Sequence, residues 1–403
     1  MSVGVQSRRL RVLLVHNFYQ QPGGEDEVFT RERELLESFR HPVCVYTRRN
    51  DELGGYGPVR KLSLPLRTMW AWDSVRAIRD LIRRERPDVA HFHNTFPLIS
   101  PAAYQACQTE GVAVVQSLHN PRVTCPAATF YRDGRECQEC LGKKLPWPGI
   151  VHGCYRGSRA DSALVAAMLA FHSQRGTWGR LVDRYIVSTE FYRGIFAAAG
   201  LPAEKLEIKP HFVASDPGLS RKNKEYALFV GRLAPEKGVC TLLRAWRKLP
   251  EIPLKVRGEG PLLGDLRTLE KQGAVQIVPR LSREELNEVF QGARFLVWPS
   301  EGLYETFGLV AAEAFACGVP VIASGRGAMA EMVCEGQTGL HFQAGNADDL
   351  AEKVRWAWRN PQEMEQMGLT ARAEYEAKYR PERNYKELIR IYSRALEQKT
   401  RTQ

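Results

Sequence analysis

Short apolar runs alternate along the chain with longer amphipathic stretches, and Gly, Pro and Asn punctuate the junctions. Residues 10–16 form the first apolar run, which breaks into Tyr19-Gln20-Gln21-Pro22-Gly23-Gly24 before a helical stretch over 25–38. Residues 43–47 read as a second strand. Residues 88–93 read as a third, followed by a helix ending at Glu110 and a strand over 112–118. This rhythm predicts an α/β fold, with a parallel sheet covered by helices on both faces. Ligands of such sheets bind beyond the carboxyl ends of the strands. His16-Asn17, His93-Asn94 and His119-Asn120 fall at those ends, so the cleft they line is polar.

The pattern breaks over 212–224, where Pro217, Gly218 and a cluster of charges read as a linker, and then restarts. Strands are predicted over 226–231, 254–258, 275–278, 295–298 and 319–323, with a helix over 238–248 and others between the later strands. The expected architecture is two Rossmann-like doubly wound domains, 1–212 and 213–380, facing across a cleft. A chain of 403 residues is too long for one ordinary core, which agrees with two domains.

Composition narrows the partners. The net charge of +11 suits an anionic one: a nucleotide sugar, a lipid phosphate, an anionic membrane or a nucleic acid. The first ten residues, MSVGVQSRRL, hold no apolar core of a signal peptide, and apolar stretches such as 163–171 are too short to span a bilayer. The expectation is a cytoplasmic protein, soluble or peripheral at the inner face of the membrane. Nine cysteines without a secretory signal then point to reduced thiols or a metal site rather than a disulfide scaffold.

Three segments of the second half carry chemistry. Gly231-Arg232-Leu233-Ala234-Pro235-Glu236-Lys237-Gly238 follows a strand and opens a helix, which places Arg232 and Lys237 where a diphosphate meets a helix N-terminus. Two solvated cations in a loop are the competing explanation. Glu305-Thr306-Phe307-Gly308-Leu309-Val310-Ala311-Ala312-Glu313 puts one glutamate before an apolar helix over 307–315 and a second about two turns in. The first-turn amides form an anion site, and a glutamate inside such a helix needs a partner, which a hydroxyl-rich ligand would supply; a helix cap with a structural ion pair is the competing explanation, hard to extend to both glutamates. Gly258-Glu259-Gly260-Pro261 allows close backbone approach to a ligand, or is a plain turn.

In this order the three segments resemble the large family-4 retaining glycosyltransferases of GT-B fold, most strongly over 226–339 and more weakly over nearly the whole chain. The resemblance implies roles. Glu313 would bind the donor ribose and Glu305 the hydroxyls of the transferred sugar; these two match the family's E-x7-E pair. Arg232 and Lys237 would neutralise the diphosphate leaving group, the amides of Phe307, Gly308 and Leu309 would hold phosphate and sugar, and Arg280-Leu281 would meet the nucleobase. Gly23-Gly24 resembles the family's glycine loop near the donor phosphates, and His119 its active-site histidine. The aspartate that often follows that histidine is Asn120 here, so no acidic role is assigned to it. The cations and the helix dipole stabilise the leaving group electrostatically, so no cofactor or catalytic metal is required. The C-terminal helix, within 381–403, would cross back to the first domain.

Two further features concern the acceptor side. Cys125-x11-Cys137-x2-Cys140-x13-Cys154 fits a structural zinc site; separate buried thiols, an iron–sulfur cluster and disulfides are the alternatives. Cys44, Cys107, Cys240, Cys317 and Cys334 read as core residues. Residues 60–86 combine Arg60, Lys61, Arg67, Arg76, Arg79, Arg83, Arg84 and Arg86 with Leu62, Leu64, Leu66, Met69, Trp70 and Trp72. That mixture suits an anionic membrane and a lipid-linked acceptor, or a solvated helix covering the core.

The expected function is transfer of a sugar, in the manner of a hexosyltransferase, from a UDP- or GDP-type donor to a glycan or glycolipid acceptor in polysaccharide or glycoconjugate synthesis. A catalytically silent nucleotide-sugar-binding assembly protein is the alternative, against which the intact Arg232, Lys237, Glu305 and Glu313 argue. No nucleic-acid module is recognisable, so no nucleic-acid partner is expected.

Overall fold

The computed structural model describes residues 9–20, 23–55, 57, 63–219, 224–271, 273, 275–303 and 305–402. Arg60, Lys61 and Leu62 lie outside them, as do Gln21 and Pro22.

Two six-stranded parallel sheets form the frame. The first holds β1 (Val12–Phe18), β2 (Val43–Arg49), β3 (Val89–Phe92) and β4 (Ala113–Ser117), then β7 (Arg184–Val187) and β8 (Leu206–Ile208), in the order β2-β1-β3-β4-β7-β8. Between β4 and β7 a short antiparallel ribbon intervenes, β5 (Tyr131–Arg132) with β6 (Arg135–Glu136). The second sheet holds β9 (Tyr226–Val230), β10 (Leu254–Arg257), β11 (Val275–Val278), β12 (Ala293–Trp298), β13 (Val321–Ser324) and β14 (Gly339–Phe342), in the order β11-β10-β9-β12-β13-β14. Val12 pairs with Val43 on one side and Val89 on the other, so the first sheet reverses direction of growth between β1 and β3. The second reverses between β9 and β12. Crevices at such reversals, beyond the carboxyl ends, are where these sheets bind ligands.

Strands buried on both faces read as continuous apolar runs, and Val12, Leu13, Leu14 and Val15 are all fully buried. The boundaries that depart from expectation do so at Gly and Pro. The helix expected to run on from β3 begins only at Ala103 and ends at Thr109, because Pro97 and Pro101 lack amide hydrogens and favour extended neighbours. The apolar helix of the second domain is Leu309–Ala316, since Gly308 sits at φ +113°, outside helical space. A Cβ there would come within 2.0 Å of the Trp298 indole, so only glycine fits. Cys107 and Cys317 are buried and Cys44 and Cys240 half-buried, but Cys334 is exposed. It lies in the turn after helix Gly327–Met332, where its amide donates to Thr338 Oγ1 (2.8 Å), so the core assignment fails for it.

The last helix, Pro381–Thr402, lies on the first sheet: Leu388, Ile391, Tyr392 and Ala395 share a core with Val12, Leu14 and Val89. Its start is tied to the interdomain connection by a buried ion pair. Lys209 Nζ lies 2.6 Å from Glu32 Oε1 and donates to Asn384 Oδ1 at 3.0 Å. Burial pushes the Glu32 carboxyl up, but Lys209 and His91 outweigh it and hold it below its ordinary value. Breaking one side of such a pair leaves an uncompensated charge in the core. Lys209→Met is expected to lower unfolding free energy by about 3–5 kcal/mol in urea denaturation, and adding Glu32→Leu to recover most of the loss.

Candidate active site

The carboxyl ends of β9 and β12 bring the second domain's chemistry together. Gly238 ends the β9 loop in left-handed backbone at φ +70°, and a Cβ on it would come within 1.8 Å of the Pro299 carbonyl oxygen. That contact sets Lys237 beside the segment after β12. Lys237 Nζ lies 2.5 Å from Glu305 Oε1, which also accepts from Ser300 Oγ at 2.8 Å and Trp298 Nε1 at 3.4 Å. Burial raises the Glu305 carboxyl, yet Lys237, Ser300 and Trp298 more than offset that and keep it ionised. Arg232 is half exposed on the same loop and pairs with Glu236.

Glu313, two turns into the apolar helix, meets a cation from the other domain. Arg31 Nη2 is 2.7 Å from its Oε1, and Arg283 Nη1 is 3.6 Å away. Arg31 is almost fully buried on helix Gly24–Ser38, where it also reaches Glu27 and the carbonyl of Phe212 (3.0 Å). The partner that sequence reasoning sought for this glutamate in a ligand is therefore present in the protein, and the structural ion pair extends to both glutamates.

The remaining donor-side residues are distributed as follows. Phe307 is buried against His211 and Tyr379, with ring centroids 5.2 and 5.5 Å away, and Gly308 caps the helix that Leu309 opens. Arg280 is exposed and Leu281 half-buried in the loop after β11. Gly258 and Gly260 serve packing between protein segments: Cβ atoms there would come within 1.9 Å of Gly231 O and 2.5 Å of Leu233 O. Gly23 and Gly24 differ, because nothing lies within 4 Å of a Cβ at either and both are exposed at the helix start.

Across the cleft, His119 follows β4. Its carbonyl accepts from Thr306 Oγ1 at 3.0 Å, while the Thr306 carbonyl accepts from Ser188 Oγ (3.1 Å) and Thr189 Oγ1 (3.2 Å). The segment that carries Glu305 is thus fastened to the first domain next to His119. The imidazole shares a hydrogen bond of 3.0 Å with His93 and stacks on it. Burial and the neighbouring His211 and His16 hold His119 well below the usual histidine range, so it stays neutral near pH 7.

With this geometry in place, comparison with known proteins decides the family. Residues 214–374 match the family model "Glycosyl transferases group 1", and 23–211 match "Glycosyl transferase 4-like domain". A D-inositol 3-phosphate glycosyltransferase of Arthrobacter sp. is 32% identical over 87% of this chain and 81% of its own length. The chain belongs to the family-4 glycosyltransferases. A D-inositol 3-phosphate glycosyltransferase of Pseudarthrobacter chlorophenolicus is 28% identical over the same shares. Among solved structures, Thermosynechococcus elongatus sucrose-phosphate synthase is similar with a TM-score of 0.70 at 18% identity, over 96% of this chain and 98% of that one. Anabaena HepE in complex with UDP gives 0.66 at 17%, over 95% and 100%. The fold of this glycosyltransferase is GT-B.

The strand-end residues His93, Asn94, His119 and Asn120 line a first-domain pocket of this glycosyltransferase, in which sequence reasoning missed Glu25 and Arg122. Phe96, Leu169 and Trp178 line it as well, so polar and apolar side chains share its wall. Glu25 is half-buried there, accepting from Asn120 Nδ2 at 3.3 Å and from Tyr19. Burial pushes its carboxyl up to about 7, against the lowering effect of Tyr19, Arg122 and Asn120. Only the pairing of Gly23-Gly24 with an adjacent acidic residue hinted at it in sequence.

A second buried group gathers Glu32, His91 and His93, whose ligand atoms lie within 4.8 Å of one another. It does not suit a metal ion. Lys209 brings its own positive charge to Glu32 Oε1 and both nitrogens of His91 are engaged, by Tyr392 and by Ser117 at 2.8 Å each, which leaves only Glu32 Oε2 and His93 Nε2 without a hydrogen-bond partner.

Because the folded state favours protonated Glu25, this carboxyl lowers stability as pH rises from 4.5 through about 7. The same titration should appear in catalysis. The pH profile of kcat/KM is expected to show an apparent pKa near 7 in the native enzyme and to lose that limb in Glu25→Gln.

Proposed function

We propose that the enzyme is a retaining transferase that moves a hexose from a UDP- or GDP-type sugar to a glycan or glycolipid acceptor in cell-surface polysaccharide or glycoconjugate synthesis. The observation that carries this reading is the ionised Glu305, paired with Lys237 before helix Leu309–Ala316 and followed by Thr306, whose hydroxyl donates to the His119 carbonyl. The UDP complex of Anabaena HepE supports a nucleotide donor by analogy of fold.

In this reading the nucleobase lies by Arg280-Leu281, the ribose hydroxyls meet Glu313, and the diphosphate lies against Arg232, Lys237 and the amides of Phe307, Gly308 and Leu309. Gly23 and Gly24 leave room for the phosphates, as an exposed helix start does. Glu305 accepts hydrogen bonds from hydroxyls of the transferred sugar. It is held ionised, so it does not serve as a proton donor. The bond from the anomeric carbon to the phosphate oxygen breaks as the bond to the acceptor oxygen forms on the same face, and the acceptor proton passes to the leaving phosphate. Lys237 and Arg232 hold the charge that develops on that phosphate. The acceptor enters the first-domain pocket, its hydroxyl near Glu25 and neutral His119.

Lys237→Ala and Glu305→Gln are expected to cut kcat by roughly 100-fold or more in a radiolabelled sugar-transfer assay while leaving the melting temperature within a few degrees. Turnover at the native rate in either variant would remove the site assignment.

Peripheral membrane binding is proposed from a separate observation. No helix among the described residues is long and apolar enough to cross a membrane. Leu66 and Trp72 are each 57% exposed, with exposed Arg76 one helical turn from Trp72, although Arg67 is paired with Asp73, Arg83 with Glu110 and Arg84 with Glu85. Flotation with phosphatidylglycerol vesicles is expected to recover the protein at low salt, and less of it after Trp72→Ala or in high salt. Equal recovery with phosphatidylcholine alone would contradict an anionic membrane partner.

A further inference from the structure

The stretch from Cys125 to Cys154 has no part in sugar transfer as described, yet it touches the donor site. Cys125, Cys137, Cys140 and Cys154 are free thiols and line one small cavity together with Phe130 and Arg132. The β5–β6 ribbon turns at Asp133-Gly134, both in left-handed backbone at φ +52° and +75°, and delivers Cys137-x2-Cys140 to that cavity. Little regular structure holds the stretch otherwise: two strands of two residues each and helix Trp147–Val151. A segment so poor in secondary structure has few means of fixing its own shape.

The outer face of the same stretch rests on the second domain. Phe130 and Cys125 form one buried cluster with Leu303, joined by Phe191 and Ile195. Tyr131 packs on Gly302, where a Cβ would come within 3.0 Å of its ring. Glu136 pairs with Arg326, whose Nη1 donates to the carbonyl of Glu301 at 3.2 Å. These contacts fall on residues 301–303, between Ser300 and the Glu305 to which Ser300 donates.

We propose that Cys125, Cys137, Cys140 and Cys154 bind one zinc ion as thiolates, and that the zinc-bound module is a clasp holding residues 299–303 and 305–306 in place across the cleft. The donor set is the one zinc takes in closed structural sites, with a CxxC knuckle and two flanking thiols. No three of the four sulfurs lie within 4.8 Å of one another. A Zn–S length of about 2.3 Å would bring them to about 3.8 Å, so the thiols lining the shared cavity close in on the ion as it binds. Binding releases the thiol protons to solvent and needs no oxidant. The ion fixes Phe130, Tyr131 and Glu136, and through them the loop that presents Glu305. Only this last consequence rests on the sugar-transfer reading.

The test uses the full-length protein expressed with zinc in the medium. Elemental analysis is expected to find about one zinc per chain, lost in Cys137→Ser/Cys140→Ser and on treatment of the native protein with a strong chelator. Hydrogen exchange read on the chelated native protein is expected to be about fivefold or more faster over 299–306, with the β9 core unchanged. Tyr131→Ala is expected to keep the zinc and still loosen 299–306. Absence of zinc from the native protein, zinc retained by the double variant, or a disulfide among these thiols would overturn the metal site. Unchanged exchange over 299–306 after zinc removal would overturn the clasp. Neither readout depends on sugar transfer, so failure here and failure of the proposed activity are separable.

Discussion

The cleft is organised by the need to give each of two carboxylates at a nearly all-apolar helix a cation to pair with. Glu305 precedes helix Leu309–Ala316 and Glu313 lies within it. An uncompensated carboxylate in such surroundings would take up a proton instead. Each finds a cation, but from different places. Lys237 comes from the neighbouring loop of the same domain and Arg31 from the opposite domain. The second pairing makes charge compensation an interdomain contact, reinforced where Arg283 reaches Glu27. Under the proposed function, a donor entering this cleft would meet pre-formed, compensated charges, and its diphosphate and hydroxyls would redistribute existing pairs rather than create new ones.

The first domain answers with groups of the opposite character. Its histidines 93, 119 and 211 are kept neutral by burial, so they act as hydrogen-bonding surfaces rather than charges. Glu25 is the one described carboxyl there that burial pushes into the neutral pH range. One side of the cleft is thus ionic and suited to a phosphate leaving group, the other close to neutral and suited to a hydroxyl nucleophile. That division is what a two-substrate transfer asks of two domains.

Much of the frame was legible in the sequence because it depends on local rules. Buried parallel strands read as apolar runs, and the predicted starts and ends fall within two residues or so of those observed. They slip at Gly308, which caps a helix two residues late, and after Pro97 and Pro101. The donor side was legible as a motif, since Lys237, Glu305 and Glu313 sit at fixed spacings about a strand and a helix. What links them was not. Arg31 meets Glu313 across 282 residues of chain, and nothing near Arg31 in sequence marks it as an interdomain cation. Glu25 was hidden likewise, because its elevated carboxyl comes from burial beside Asn120 and Tyr19. The glycines at 258 and 260 were ambiguous in sequence, close approach to a ligand or a plain turn, and the structure uses them to accommodate the loop bearing Arg232.

The central claim is that a nucleoside diphosphate sugar binds between Lys237, Arg232 and the two glutamates. Hydrogen exchange with and without saturating UDP- or GDP-sugar measures this most directly. Protection is predicted over 231–238 and 305–313, where the phosphates and ribose would lie, with little change in the strand cores. No protection in either segment with any nucleotide sugar, or protection confined to another surface, would contradict it.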